Sequence, residues 1–165
     1  MTDVRVCFVD TYVLRAAAAS ALEVLVLRRA SAGRCPRSWE TVHGTIEPGE
    51  TPVQAAHREL AEETGLRALR LYNVSRVEAF YQHAADQVAL IPVFAAFVDP
   101  DAAPRLSPEH DRAEWLAPAQ AAERFSWPRE RRAIADVVAL FAGRQEGGSA
   151  AGAGGGLLDD VLKIS

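Results

Sequence analysis

Residues 51 to 65 constrain this chain more than any other stretch. Thr51 can cap a helix, Gln54 completes a capping box, Pro52 takes the first helical position and Gly65 supplies a stop, which predicts a helix over Pro52–Thr64. Val53, Ala56, Leu60 and Thr64 fall on one stripe and form its expected buried side. Glu59, Glu62 and Glu63 stand at i, i+3 and i+4 on the flank beside Ala56, so three carboxylates share a helix face.

That crowding is unfavourable. Glu62 and Glu63 sit in the last turn, where the helix dipole disfavours anions by about 0.3–1 kcal/mol each. Carboxylates about 5–6 Å apart also repel by roughly 3 kcal/mol at an effective dielectric near 20, and by less when hydrated. A hard divalent cation reverses the sign, because Mg²⁺ takes oxygen ligands, typically one or two carboxylates together with waters and substrate phosphates. The cluster is therefore a metal-site candidate.

The surrounding pattern is that of one globular domain. The chain has 165 residues, 49% hydrophobic and 24% charged, enough to bury about two-thirds of its unfolded surface. "VRVCFVDTYVL" and "EVLVLRRA" read as paired strands, and "ASAGRCPRSWE" as a basic loop. "LRLYNVSRVEAFYQ" and "QVALIPVFAAFV" form a longer pair joined by "HAAD"; a proline-broken loop, the short strand "AEWL" and the helix "APAQAAERF" follow. "WPRERRAIADVVALFAG" is a last amphipathic helix with Ile134, Val137, Val138 and Phe141 on its apolar side. This order predicts α/β or α+β sandwich packing over 1–143. Residues 144–165 have a Gly/Ala-rich linker composition and a short tail expected to fray or dock.

Charge and cysteine usage narrow the partners. A net charge of −4 provides no general basic field for a nucleic-acid duplex, so an anionic ligand should be small and held by local arginines or metal. Cys7 and Cys35 fit a reducing compartment. The first residues lack a signal-peptide pattern and Glu23 interrupts the apolar run before Leu27, so no membrane association and a cytoplasmic location are expected.

Outward from the glutamates, "GTIEPGETPVQAAHRELAEETGL", residues 44–66, fills every fixed position of a 23-residue signature, and through it the chain resembles the Nudix hydrolases. The resemblance implies the family's α/β/α sandwich with a mixed sheet. It also implies hydrolysis of a phosphoanhydride in a nucleoside diphosphate linked to another group, with Mg²⁺, or alternatively Mn²⁺, as cofactor. Glu59, Glu62 and Glu63 correspond to the metal-binding glutamates, with Gly44 offering a carbonyl to metal and Glu50 and Arg58 as structural support. "SPEHDRAEWL" resembles a later acidic motif and makes Glu109 a further metal ligand or base. Glu62, Glu63 and Glu109 are thus the catalytic candidates.

Arg28, Arg29 and His43 are candidate phosphate contacts, and Trp39, Phe80 and Tyr81 candidate stacking groups for a base. "RSWETVHG", "EHDRAEWL" and "FSWPRERRAIADVV" look most like small bacterial nucleoside triphosphate pyrophosphatases. A (deoxy)nucleoside or pterin triphosphate pyrophosphohydrolase is the expectation, with a dinucleoside polyphosphate or nucleotide-sugar hydrolase as the alternative. A non-catalytic nucleotide-sensing module is disfavoured because the signature is intact. A homodimer stays open.

Overall fold

The computed structural model describes residues 1–17, 21–142 and 162–165. The alanines expected to turn between the first strands and the glycine-rich linker fall largely at 18–20 and 143–161, outside the described residues. The elements are β1 (Asp3–Val6), β2 (Phe8–Ala16), β3 (Leu22–Arg29), β4 (Trp39–Glu40), β5 (Val42–Thr45), α1 (Pro52–Thr64), β6 (Arg70–Gln82), β7 (Gln87–Phe97), β8 (His110–Leu116), α2 (Pro118–Arg124) and α3 (Pro128–Ala142).

The sheet is mixed. β7 pairs antiparallel with β6 along nearly its whole length and parallel with β1 and then β2 on its other side. β2 and β3 pair antiparallel only over Leu14–Ala16 and Leu22–Val24, then diverge. β5 fills the opening against Phe8–Thr11, and β4 fills it against Leu27 and Arg28. β8 closes the far edge of β3.

Period-two alternation gives the sheet two buried faces. Val13, Leu25, Leu27, Phe94 and Ala96 pack against Ala55, Ala56 and Leu60 of α1. Tyr12, Leu14, Val24, Val26, Val93 and Ala95 pack against Phe125, Ile134, Val137 and Phe141 at α2 and α3. Full burial of Leu60 alone contributes about 2 kcal/mol, which is why the stripe can hold a helix that carries an unfavourable acidic cluster. The predicted α/β/α sandwich is the fold observed.

The capped helix has the expected limits. Thr51 Oγ1 accepts from Gln54 N at 3.3 Å, and Gln54 Oε1 accepts from Thr51 N at 2.8 Å. Gly65 ends it at φ 66°, a left-handed value that a side chain rarely adopts, with its N–H donating to Ala61 O.

Two features depart from the sequence reading, and the last four residues take the docked of the two courses expected for the tail. β4 and β5 lie partly within the expected basic loop and just beyond it; two- and four-residue strands of "WE" and "VHGT" are too short to show alternation. Glu63 is buried inside the helix packing rather than on its flank, at 4% exposure against 59% for the Glu62 side chain. The end of the tail runs along β6: Asn73 N donates to Leu162 O, Ile164 N to Leu71 O and Leu71 N to Ser165 O.

Candidate active site

Where β2 and β3 diverge, elements from both faces of the sheet reach one open cavity of about 660 Å³. Glu59, Glu63, Glu109 and Arg29 line it from the α1 side, while His43, Phe8, Phe80, Trp127 and Arg129 line it from the other parts of its wall.

Arg58 organises the acidic side. Its Nε and Nη2 each donate to one oxygen of Glu50 at 2.9 Å, and Nη2 also donates to Thr45 O at 2.7 Å. Nη1 donates to Glu59 Oε1 at 2.8 Å and to Glu62 Oε2 at 3.1 Å. One fork therefore ties the loop before α1 to two of its glutamates, a geometry a lysine ammonium does not reproduce. Hydrogen bonds from Arg58 and the Glu47 amide hold the Glu50 carboxyl below its usual range. Gly44 is required for a close approach: a Cβ there would stand 1.8 Å from Glu59 Cδ.

Register places the next layer. Leu27 pairs with Glu40 and Arg29 with His110, so these side chains lie on the α1 face with Leu27. Arg29 donates to Glu40 Oε1 at 2.8 Å and to Glu109 Oε2 at 3.2 Å. His110 Nε2 lies 3.3 Å from Glu40 Oε1, and its Nδ1 faces Glu63 Oε2 at 4.0 Å. Burial would raise the Glu40 pKa, but His110 and Arg29 outweigh it and hold the carboxyl below its ordinary value. Burial raises Glu63 well above the carboxylate range, and the nearby Glu40, Glu59 and Glu109 add to the shift. Burial also raises Glu59, against the pull of Arg58. The loop bearing Glu109 hangs from the end of α1, with Ser107 N donating to Glu63 O and Arg105 N to Thr64 O.

On the opposite face Asp10 is fully buried and ion-paired to Arg129 of α3. His43, its register partner on β5, places Nδ1 2.7 Å from Asp10 Oδ1. A carboxylate only accepts, so Nδ1 carries the hydrogen. The His43 ring stacks on Phe8 at 5.2 Å, and Phe8 stacks on Phe80 at 5.8 Å, giving an aromatic floor.

The structure thus brings together Glu59, Glu63, Glu109, Gly44, Arg29, His43 and Phe80. It does not bring in the other candidates. Arg28 turns away and pairs with Asp111 at 2.7 Å. Trp39 packs beneath Arg124 at 4.8 Å and against the α2–α3 core. Tyr81 is 55% exposed near the hairpin end and donates to Asp86. Glu62 is exposed and held by Arg58 rather than lining the cavity. Glu40, Asp10, Arg129 and Trp127 escaped the sequence reading, since each enters through register or through a helix distant in sequence. "WPRER" held the one usable signal, an aromatic and two arginines at a helix start.

Among the described residues no three acidic, histidine or cysteine side chains converge into a ready metal cage. The reason is visible: Glu59, Glu62 and Glu109 are each drawn to an arginine. The donor set nevertheless fits a hard cation. It is all oxygen, Glu63 Oε2 is buried without a hydrogen-bond partner, and the Gly44 backbone sits against Glu59 with no room for a side chain. No helix among the described residues is long and apolar enough to cross a membrane.

The chain is 38% identical over 123 residues to an octanoyltransferase of Myxococcus xanthus, a match covering 70% of this chain but only 32% of that protein. It is 35% identical over 99 residues to the asymmetrical bis(5'-nucleosyl)-tetraphosphatase of Sus scrofa, covering 59% of this chain and 65% of the relative. The dihydroneopterin triphosphate pyrophosphohydrolase of E. coli superposes with a TM-score of 0.62 at 25% identity, over 80% of this chain and 95% of that one. The NUDIX domain model matches residues 9–137, spanning both helical layers and the cavity between them, and the chain belongs to that family.

Proposed function

We propose that this Nudix hydrolase is a Mg²⁺-dependent pyrophosphohydrolase that cleaves a phosphoanhydride of a (deoxy)nucleoside or pterin triphosphate. The observation that carries this reading is the two-sided cavity, with Glu59, Glu63 and Glu109 facing arginines and an aromatic floor. The carboxylates suit a cation that compensates phosphate charge, and the rings suit a flat heterocycle.

When bound by Glu59, Glu62, Glu63, Glu109 and the Gly44 carbonyl, a divalent cation would neutralise phosphate oxygens and acidify water. The protein's own groups do the rest. Glu63, whose Oε2 is buried without a hydrogen-bond partner, is the proposed acceptor of the attacking water's proton once the cation is bound. Arg29 pairs with Glu40 and with Glu109 beside it. Arg58 fixes Glu59 while Phe8 and Phe80 orient the heterocycle, so that the phosphate chain is presented toward α1.

The test is a screen of nucleoside and pterin triphosphates, dinucleoside polyphosphates and nucleotide sugars with Mg²⁺. Release of monophosphate and pyrophosphate from a triphosphate is expected; absence of Mg²⁺-dependent hydrolysis of every substrate would refute the reading. Dinucleoside polyphosphate hydrolysis is the second reading, favoured by the similarity to the Sus scrofa tetraphosphatase.

A further inference from the structure

We infer that Arg34, Arg129 and Arg132 form a second anion subsite in the cavity, one that takes phosphoryl groups beyond the two flanking the scissile bond. The chain would then favour substrates with three or more consecutive phosphates over those in which two phosphates join two uncharged groups. This rests on the hydrolytic reading of the acidic wall given above.

All three arginines line the same cavity as Glu59 and Glu63, in a chain whose net charge is −4. Arg129 and Arg132 are three residues apart on α3 and so share a helix face. Arg34 joins them from the loop between β3 and β4.

Their bonding states differ in a way that suits a ligand. Arg129 is anchored by fully buried Asp10, and its Nη2 also lies 4.0 Å from Glu130 Oε1. An anchored fork loses little further conformational freedom when it binds an anion. Arg34 and Arg132 are exposed and have no ion-pair partner among the described residues. Two cations free to pair thus border one held in place.

Charge balance assigns the occupant. Phosphates beside Glu59, Glu63 and Glu109 need a bound cation to offset the carboxylates. A further phosphate, carried past that cation, is matched instead by the arginines through charge-assisted hydrogen bonds. A nucleotide sugar would place an uncharged sugar there and leave Arg34 and Arg132 unpaired.

The decisive experiment is equilibrium titration of the full chain, without divalent cation, with inorganic tripolyphosphate and with pyrophosphate, for wild type, Arg132→Ala and Arg34→Ala/Arg132→Ala. Tripolyphosphate should bind at least about tenfold more tightly to wild type, and the double variant should lose that advantage. In parallel, with Mg²⁺, the ratio of kcat/KM for a nucleoside triphosphate over ADP-ribose should fall by about 10–100-fold in the double variant, mainly through KM. Arg132→Lys should restore part of both effects. Equal affinity of wild type for the two anions, or a preference unchanged in the double variant, overturns the subsite. If arginine-dependent tripolyphosphate binding is found without hydrolysis of any substrate, the subsite stands and the hydrolytic reading falls. Hydrolysis with an unmoved ratio has the opposite meaning.

Discussion

His110 Nδ1 and Glu63 Oε2 face each other at 4.0 Å inside the protein, and neither atom has a hydrogen-bond partner. Burial, with the neighbouring Glu40, Glu59 and Glu109 carboxylates, holds the Glu63 carboxyl of the metal-free protein well above its ordinary range. As pH rises past the unfolded carboxyl's pKa, the unfolded chain releases this proton first, so Glu63 subtracts stability between that value and its raised folded pKa. Glu63→Gln should therefore raise the metal-free melting temperature at neutral pH by about 2–8 °C and flatten its decline on the alkaline side. Calorimetric melting across pH checks this; an unchanged or lowered Tm at neutral pH contradicts it.

Glu62 and Glu63 are adjacent but should separate stability from activity. Gln at either position should lower Mg²⁺-dependent kcat by a factor on the order of 10²–10⁴, because each removes a proposed metal or proton ligand. Only the Glu63 variant should shift thermal stability, since the Glu62 side chain is 59% exposed. Full activity of both variants would remove them from the site.

Gly44→Ala probes the approach of β5 to α1. The new methyl would lie 1.8 Å from Glu59 Cδ and force that side chain off its place beside Arg58. A loss of about 10–100-fold in Mg²⁺ affinity is expected, with the overall fold retained, because the obstructing atoms belong to a side chain. Mg²⁺ titration of activity and a circular dichroism spectrum would show both.

Arg58→Lys keeps the charge and loses the fork. With Glu50, Glu59, Glu62 and Thr45 O all dependent on that fork, stability should fall by about 1–3 kcal/mol and kcat should fall with it. Denaturant unfolding measures the first effect; a neutral substitution there would show that the charge alone suffices.

Removing residues 162–165 should cost stability and spare chemistry. Leu162 packs on the α3-side core, and the segment supplies three backbone hydrogen bonds to β6. A melting temperature lower by about 2–6 °C with kcat/KM changed less than about threefold is expected. A large loss of kcat/KM would place the segment in the working machinery.

Much of this was legible from local pattern. The capping box, the stop at Gly65 and the apolar stripe located α1 to the residue, because caps and periodicity are properties of neighbours in sequence. The glutamates and their spacing pointed to a metal site, and the phosphoanhydride chemistry was what the resemblance carried by residues 44–66 implied. The opposite wall was not legible. Asp10 and Arg129 are 119 residues apart, and the pairing of Asp10 with His43 depends on a strand register that no local signal sets. Tyr81 and Trp39 misled for the same reason: an aromatic in a strand gives no clue which way it faces until its partners are known.

The cavity borrows its two walls from opposite faces of one sheet, with the proposed hydrolytic carboxylates on α1 and two arginines of the proposed anion subsite on α3. Those layers have separate cores and few shared side chains. On that proposal, substitutions along α3 would redirect which molecule is consumed while the carboxylates on α1 go undisturbed, so such a scaffold would drift between substrates without passing through an inactive ancestor.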